Sequence, residues 1–174
     1  MRQYAVIFTV LLGLLLILVI PSTPGGGGEQ DLITYWSASR LLVTGENPYD
    51  PDALGRLKGE LRPEIAVNGP VTPAWNPPWL LLTLAPLTLF PFYLAIRIWI
   101  FLNIAFIVIA LSLVWQMHGQ ASDTRGFILI LGAGFLLANT ITLLRLGQIT
   151  SLILLCLVLV VWLIQKEMYY LAGG

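Results

Sequence analysis

Side chains able to move a proton or hold an anion gather in one stretch of an otherwise apolar chain. Eleven of the eighteen charged residues lie between Glu29 and Glu64. Asp31 stands near the head of that stretch, just past an apolar run, with Glu29 two residues earlier as the reserve candidate. A carboxylate placed there can act as general base toward a hydroxyl held at the water boundary. Asp31 is equally suited to cap the helix that follows, and a cap that accepts backbone N–H bonds is a poorer base, because those bonds lower its pKa. The residues alone leave both roles open. Tyr35 and Trp36 can stack on a bound molecule or anchor the chain at headgroup depth. Asn47, Tyr49 and Asp50 either touch a substrate or build a proline-framed turn, and Asn76 either caps a helix or faces a cavity. Arg145 and Gln148 form a polar pair at a helix junction, where such groups line functional cavities or snorkel to the interface. His118 has no companions at metal-ligand spacing, so neither a metal nor another cofactor is expected. The quartet Gly25 to Gly28 lacks the Gly-Lys-Ser/Thr ending of a phosphate loop.

The elements that must position these residues belong to a membrane. Of 174 residues, 57% are hydrophobic and 10% charged, against roughly 25% charged in a soluble domain. Uncharged stretches run from Gln3 to Gly28, Ile65 to Ile96, Ile98 to Ser122, Gly126 to Leu144 and Leu146 to Gln165. Each is long enough to contain a span, which needs about 20 mainly apolar residues. The expected fold is therefore all-α, a polytopic transmembrane helix bundle of about five spans in one membrane domain over 1–174, with a large external loop at 22–77 that contains short surface helices. Net charge is zero and no basic cluster exists, so nucleic-acid binding has no basis. The single cysteine, Cys156, lies in an apolar run and reads as a buried small side chain. No small-x-small cleavage site follows the first run, so an uncleaved first helix is expected.

Along the chain, spans are expected at Tyr4 to Ile20, Pro78 to Phe90, Phe92 to Met117, Gly126 to Leu144 and Ile149 to Ile164. The stretch Asp31 to Thr44 repeats its apolar residues at helical spacing and stops at Gly45, which predicts an amphipathic helix lying at the membrane surface. Asp50 followed by Pro51 predicts a cap and first turn for a short polar helix ending near Leu61. The run at Pro78 to Phe90 is short and holds Pro86. With a cytoplasmic N-terminus, Arg2, Arg97 and Arg145 fall inside and Arg125 and Lys166 outside, a small excess in the direction of the positive-inside rule. The loop, with seven acids and four bases, then lies outside. If the Pro78 to Phe90 segment is re-entrant, everything after it changes sides.

Taken in order, Asp31-Leu-Ile-Thr-Tyr35-Trp36, Gly45-Glu-Asn47-Pro48-Tyr49-Asp50, Asn76-Pro77-Pro78, Pro86-Leu87, Phe90-Pro91 and Leu146-Gly147-Gln148 resemble the membrane glycosyltransferases of the GT-C fold, in particular glycosyltransferase family 87. The resemblance runs from about Tyr4 to the C-terminus. It implies transfer of a sugar from a polyprenyl-phosphate donor to a hydroxyl of a glycan or glycolipid acceptor on the external face of the bilayer, with inversion. It also implies that Asp31, matching the family's catalytic acid in the first external loop, is the general base. Members of the family are longer and hold more helices, so the chain is expected to be the N-terminal part of a larger enzyme. The rival class is a non-enzymatic membrane protein, a transporter or lipid-handling subunit. Its usual signs, polar broken helices at the bilayer centre and inverted repeats, are not evident in the sequence.

Overall fold

The computed structural model describes residues 30–63, 73–118 and 124–173. The expected helix at Tyr4 to Ile20, the glycine quartet and Glu29 lie outside these residues. Among the described residues all regular structure is helical: α1 (Gln30–Thr44), α2 (Pro51–Leu61), α3 (Pro78–Leu84) continued by a 3₁₀ segment (Ala85–Leu89), α4 (Phe92–Met117), α5 (Thr124–Leu136), α6 (Ala138–Leu146), α7 (Thr150–Gln165) and α8 (Tyr169–Gly173). The chain divides into two compact units, a loop unit over Gly27–Trp99 and a second unit that contains Ile100–Gly174.

In the loop unit α1 is the centre, flanked by α2, α3 and the 3₁₀ segment. Its end follows from the sequence. Gly45 takes the left-handed conformation (φ +80°), its N–H bonds Leu42 O, and the Glu46 N–H bonds Leu41 O. These two bonds close a Schellman motif and satisfy the last carbonyls. Asp50, extended at φ −69° and ψ 117°, accepts from the Asp52 N–H and caps α2, with Pro51 in its first turn. Ala38, Leu41, Ala53, Leu54, Ala74 and Leu81 form the core beneath. Here α1 differs from the interfacial helix expected. Leu32, Ile33, Thr34, Ser37, Ala38, Ser39 and Leu41 are all buried, on most sides of the helix, so α1 is a core element with no broad wet face. Its small hydroxyl residues allow that, because they bury little volume and can bond locally or to a neighbour.

The helices from α4 onward are apolar on their outer faces. Along α4 the buried residues Phe92, Ala95, Ile96, Trp99, Ile100, Asn103, Ile104, Ile107 and Val108 repeat at helical spacing, while Tyr93, Phe101 and Ile109 are exposed. An apolar helix with an apolar exposed face suits lipid. With 26 residues α4 is the one described helix long and apolar enough to cross a membrane by itself. The expected span at Gly126 to Leu144 is instead two helices, α5 and α6, bent by 62° at Leu137, and the pair counts as one span at most. Leu137 is extended (ψ 132°) and caps α6 without a side-chain bond. Pro78–Leu89 and Thr150–Gln165 are shorter than a span. Five spans were expected from the lengths of uncharged runs; the first lies outside the described residues, and among these one helix, or two if the bent pair is a single span, is long and apolar enough to cross.

Candidate functional site

Two sequence-predicted residues of the loop unit, Tyr35 and Tyr49, meet at a third, Asn76. Asp31 lies in the first turn of α1, which begins one residue earlier than expected, so the residue before the helix is not Asp31. Its carboxylate therefore sits at the positive end of the helix dipole, inside the helix. Tyr35 follows one turn later on the same face. The Tyr35 side chain is hydrogen-bonded to the Asn76 side chain. Asn76 opens the return toward α3, and its backbone carbonyl accepts from the Tyr49 hydroxyl at 2.7 Å. Two tyrosines, one from the helix that carries Asp31 and one from the turn at Asn47 to Asp50, thus pin the same asparagine. Asp31, Tyr35 and Asn76 are half-buried, and Tyr49 is at the surface.

The electrostatics of the cluster are set by burial and by Asp31. Burial pushes the Tyr35 phenol up from 10.0 to about 12, the negative charge of Asp31 adds to the rise, and the bond to Asn76 opposes it. Tyr35 thus stays protonated at neutral pH and presents an O–H next to a carboxylate. Asn47 has a local role: its Oδ1 accepts the Tyr49 N–H at 3.0 Å and holds the turn. Asp50 is the α2 cap already described. Asn76 does not cap α3; Pro77 occupies that position, and no side-chain bond is made there.

Sequence reasoning missed the residues that hold α1 in place. Ser39 Oγ donates to Leu81 O at 2.9 Å, the Trp36 indole N–H to Leu87 O at 3.2 Å, and Arg40 to Thr88 O at 3.3 Å. The cause is a break in the opposite helix. Pro86 has no N–H, and the Ala85 N–H turns to Leu82 O as α3 tightens into the 3₁₀ segment. At that break Leu81 O loses the Ala85 N–H and accepts the Ser39 hydroxyl instead, whereas Leu87 O, which also accepts the Phe90 N–H, and Thr88 O take the other two donors at the end of the segment, before Pro91. The Ala85-Pro86 pair was the available signal. Trp36 also meets Phe92 edge to face, with ring centroids 5.8 Å apart, so the indole serves inside the unit. Lys58 is buried in α2, and desolvation lowers its pKa to about 8.

Arg145 and Gln148 belong to the second unit. Arg145 is exposed in the last turn of α6 and Gln148 is half-buried. The Leu146-Gly147-Gln148 motif ends the helix: Gly147 is left-handed (φ 66°), and the N–H groups of Gly147 and Gln148 both bond Leu143 O. Asn103 and Ser151, both buried, are hydrogen-bonded side chain to side chain between α4 and α7. Among the described residues no three His, Cys, Asp or Glu side chains lie together where they can hold a metal ion.

No curated protein and no solved structure matches the chain. A family model does, over residues 75–174, more than half of the chain. The match takes in Asn76, the broken α3, the long apolar α4 and the left-handed turn at Gly147, and on it the chain belongs to glycosyltransferase family 87.

Proposed function

We propose that the chain transfers a sugar from a polyprenyl-phosphate donor to an acceptor hydroxyl at the external face of the membrane, with Asp31 as general base. Members of the family are membrane proteins, and one helix of this chain is long and apolar enough to span a bilayer. The observation that carries the assignment is that the Asp31 charge acts on the Tyr35 phenol, which is hydrogen-bonded to Asn76, all three residues being half-buried in the loop unit. In the step proposed, the acceptor oxygen forms a bond to the anomeric carbon and its proton passes to Asp31. The bond from that carbon to the phosphate oxygen breaks, and polyprenyl phosphate leaves with the electron pair. Asp31 is suited to the task because it is half-exposed and near a phenol that keeps its own proton. Tyr35 and Asn76 orient the incoming hydroxyl, and Tyr49 holds Asn76 from behind.

Asp31→Asn tests this directly, assayed in the membrane with a lipid-linked sugar donor. Loss of a general base costs about 10²- to 10⁴-fold in turnover. The expected result is a loss of that size with unchanged expression and membrane insertion. Turnover equal to the parent enzyme sinks the assignment of Asp31.

A further inference from the structure

Among the described residues the α3 and 3₁₀ segment has one apolar face packed into the loop unit and a second that is exposed. Leu80, Leu81, Leu84 and Leu87 are buried against the loop unit, while Trp79, Leu82, Leu89 and Phe90 are exposed, Leu89 at 80%. Trp75, 84% exposed, stands before the stripe and Tyr93, at 65%, after it. The outer residues Trp79, Leu82, Thr83 and Pro86 repeat at i, i+3, i+4 and i+7, which sets them on one side of a helix. No charged residue occurs from Ile65 to Ile96. A continuous aromatic and aliphatic face without charge is suited to the boundary of a bilayer, where tryptophan and tyrosine collect.

Length and partners decide between crossing the bilayer and lying in its boundary. Seven α-helical residues at 1.5 Å and five 3₁₀ residues at 2.0 Å reach roughly 20 Å, well short of a hydrocarbon core of about 30 Å. The neighbouring helix argues the same way. Donors on α1 reach the segment at Leu81, Leu87 and Thr88, near both its ends. Were the segment to enter the core, α1 would go with it and carry the Arg40 guanidinium, bound at Thr88 O, into the hydrocarbon. A charged side chain at bilayer depth costs several kcal/mol, by some scales about 3 and by others over 10. In the boundary layer Arg40 costs far less, and the carbonyl freed at the break, Leu81 O, is bonded by Ser39 of α1, as irregular backbone near lipid requires.

We infer that Pro78–Leu89 does not cross the membrane, and that its outer face, from Trp75 to Tyr93, rests on the lipid surface on the same side as the loop unit. The 26-residue α4 follows after Pro91, so it enters the bilayer from that side and its far end, at His118, emerges on the other. The inference holds whatever group the chain transfers.

Cysteine labelling tests it. In a Cys156→Ser background, Glu46→Cys marks the side of the loop unit, and Tyr93→Cys and His118→Cys mark the two ends of α4. A membrane-impermeant maleimide is applied to intact cells and again after permeabilisation. The expected result is that Tyr93→Cys labels from the same side as Glu46→Cys, and His118→Cys from the opposite side. The reverse pattern, with His118→Cys labelled alongside Glu46→Cys, overturns the inference. If lipid shields Tyr93→Cys, His118→Cys decides alone by the same rule.

Discussion

Tyr35 reports on Asp31 through its own proton. Its phenol is held up mainly by burial and then by the Asp31 charge, to about 12. The unfolded chain releases this proton near 10.0. Below that pH both states are protonated and the contribution to stability is whole; it is lost as pH rises from about 10 toward 12, because the unfolded state ionises first. Asp31→Asn removes the second of the two causes, so the Tyr35 ionisation should move down. Ultraviolet phenolate titration, with Tyr35→Phe subtracted to isolate the one tyrosine, measures the shift. An unmoved titration breaks the electrostatic link between the two side chains. The i, i+4 spacing of Asp31 and Tyr35 was legible in the sequence, as was their place beside an apolar run. Their meeting with Asn76 was not, because it depends on where the chain returns after α2, and no local pattern encodes that return.

At the scale of the element, α1 contains a matched pair of buried serines. Ser39 bonds Leu81 O, whereas Ser37 Oγ is buried with no hydrogen-bond partner among the described residues. Removing the first hydroxyl leaves a carbonyl unsatisfied beside a broken helix, at a cost of about 1–3 kcal/mol. Removing the second takes away a polar group that was already desolvated without return, which is neutral or stabilising. Ser39→Ala should therefore lower the thermal midpoint of the detergent-solubilised protein and Ser37→Ala should leave it level or raise it. Equal losses would mean that α1 does not brace the α3 break. Helix boundaries were readable wherever a residue had a single physical use, as with Gly45 at the left-handed stop and Asp50-Pro51 at the start of α2. The bend at Leu137 was not readable, since neither proline nor glycine occupies it and the flanking Asn139 and Thr140 weaken a helix only slightly. The enclosure of α1 was also hidden, because serine and threonine look polar in a sequence and pack as small residues in a core.

Over the whole molecule, charge distribution separated one loop-rich unit from apolar helices, and it did so from composition alone. It did not fix how many helices cross, because crossing depends on length after breaks and on what lies alongside. The second unit shows the same dependence on partners. Asn103 lies on the buried stripe of α4 and bonds Ser151 at the start of α7, both nearly inaccessible. An asparagine there is costly unless another helix answers it, so the pair specifies which faces of α4 and α7 meet. Bonds of this kind between membrane helices are worth about 0.6 kcal/mol on average and up to 1–2. A double-mutant cycle with Asn103→Ala and Ser151→Ala, read by reversible unfolding in mixed micelles, should give a coupling energy in that range. Asn103→Ala alone should cost more than the coupling, since it also empties space in a packed stripe. A coupling of zero, with each single change additive in the double, would show that the two helices are registered by their apolar side chains without help from the polar pair.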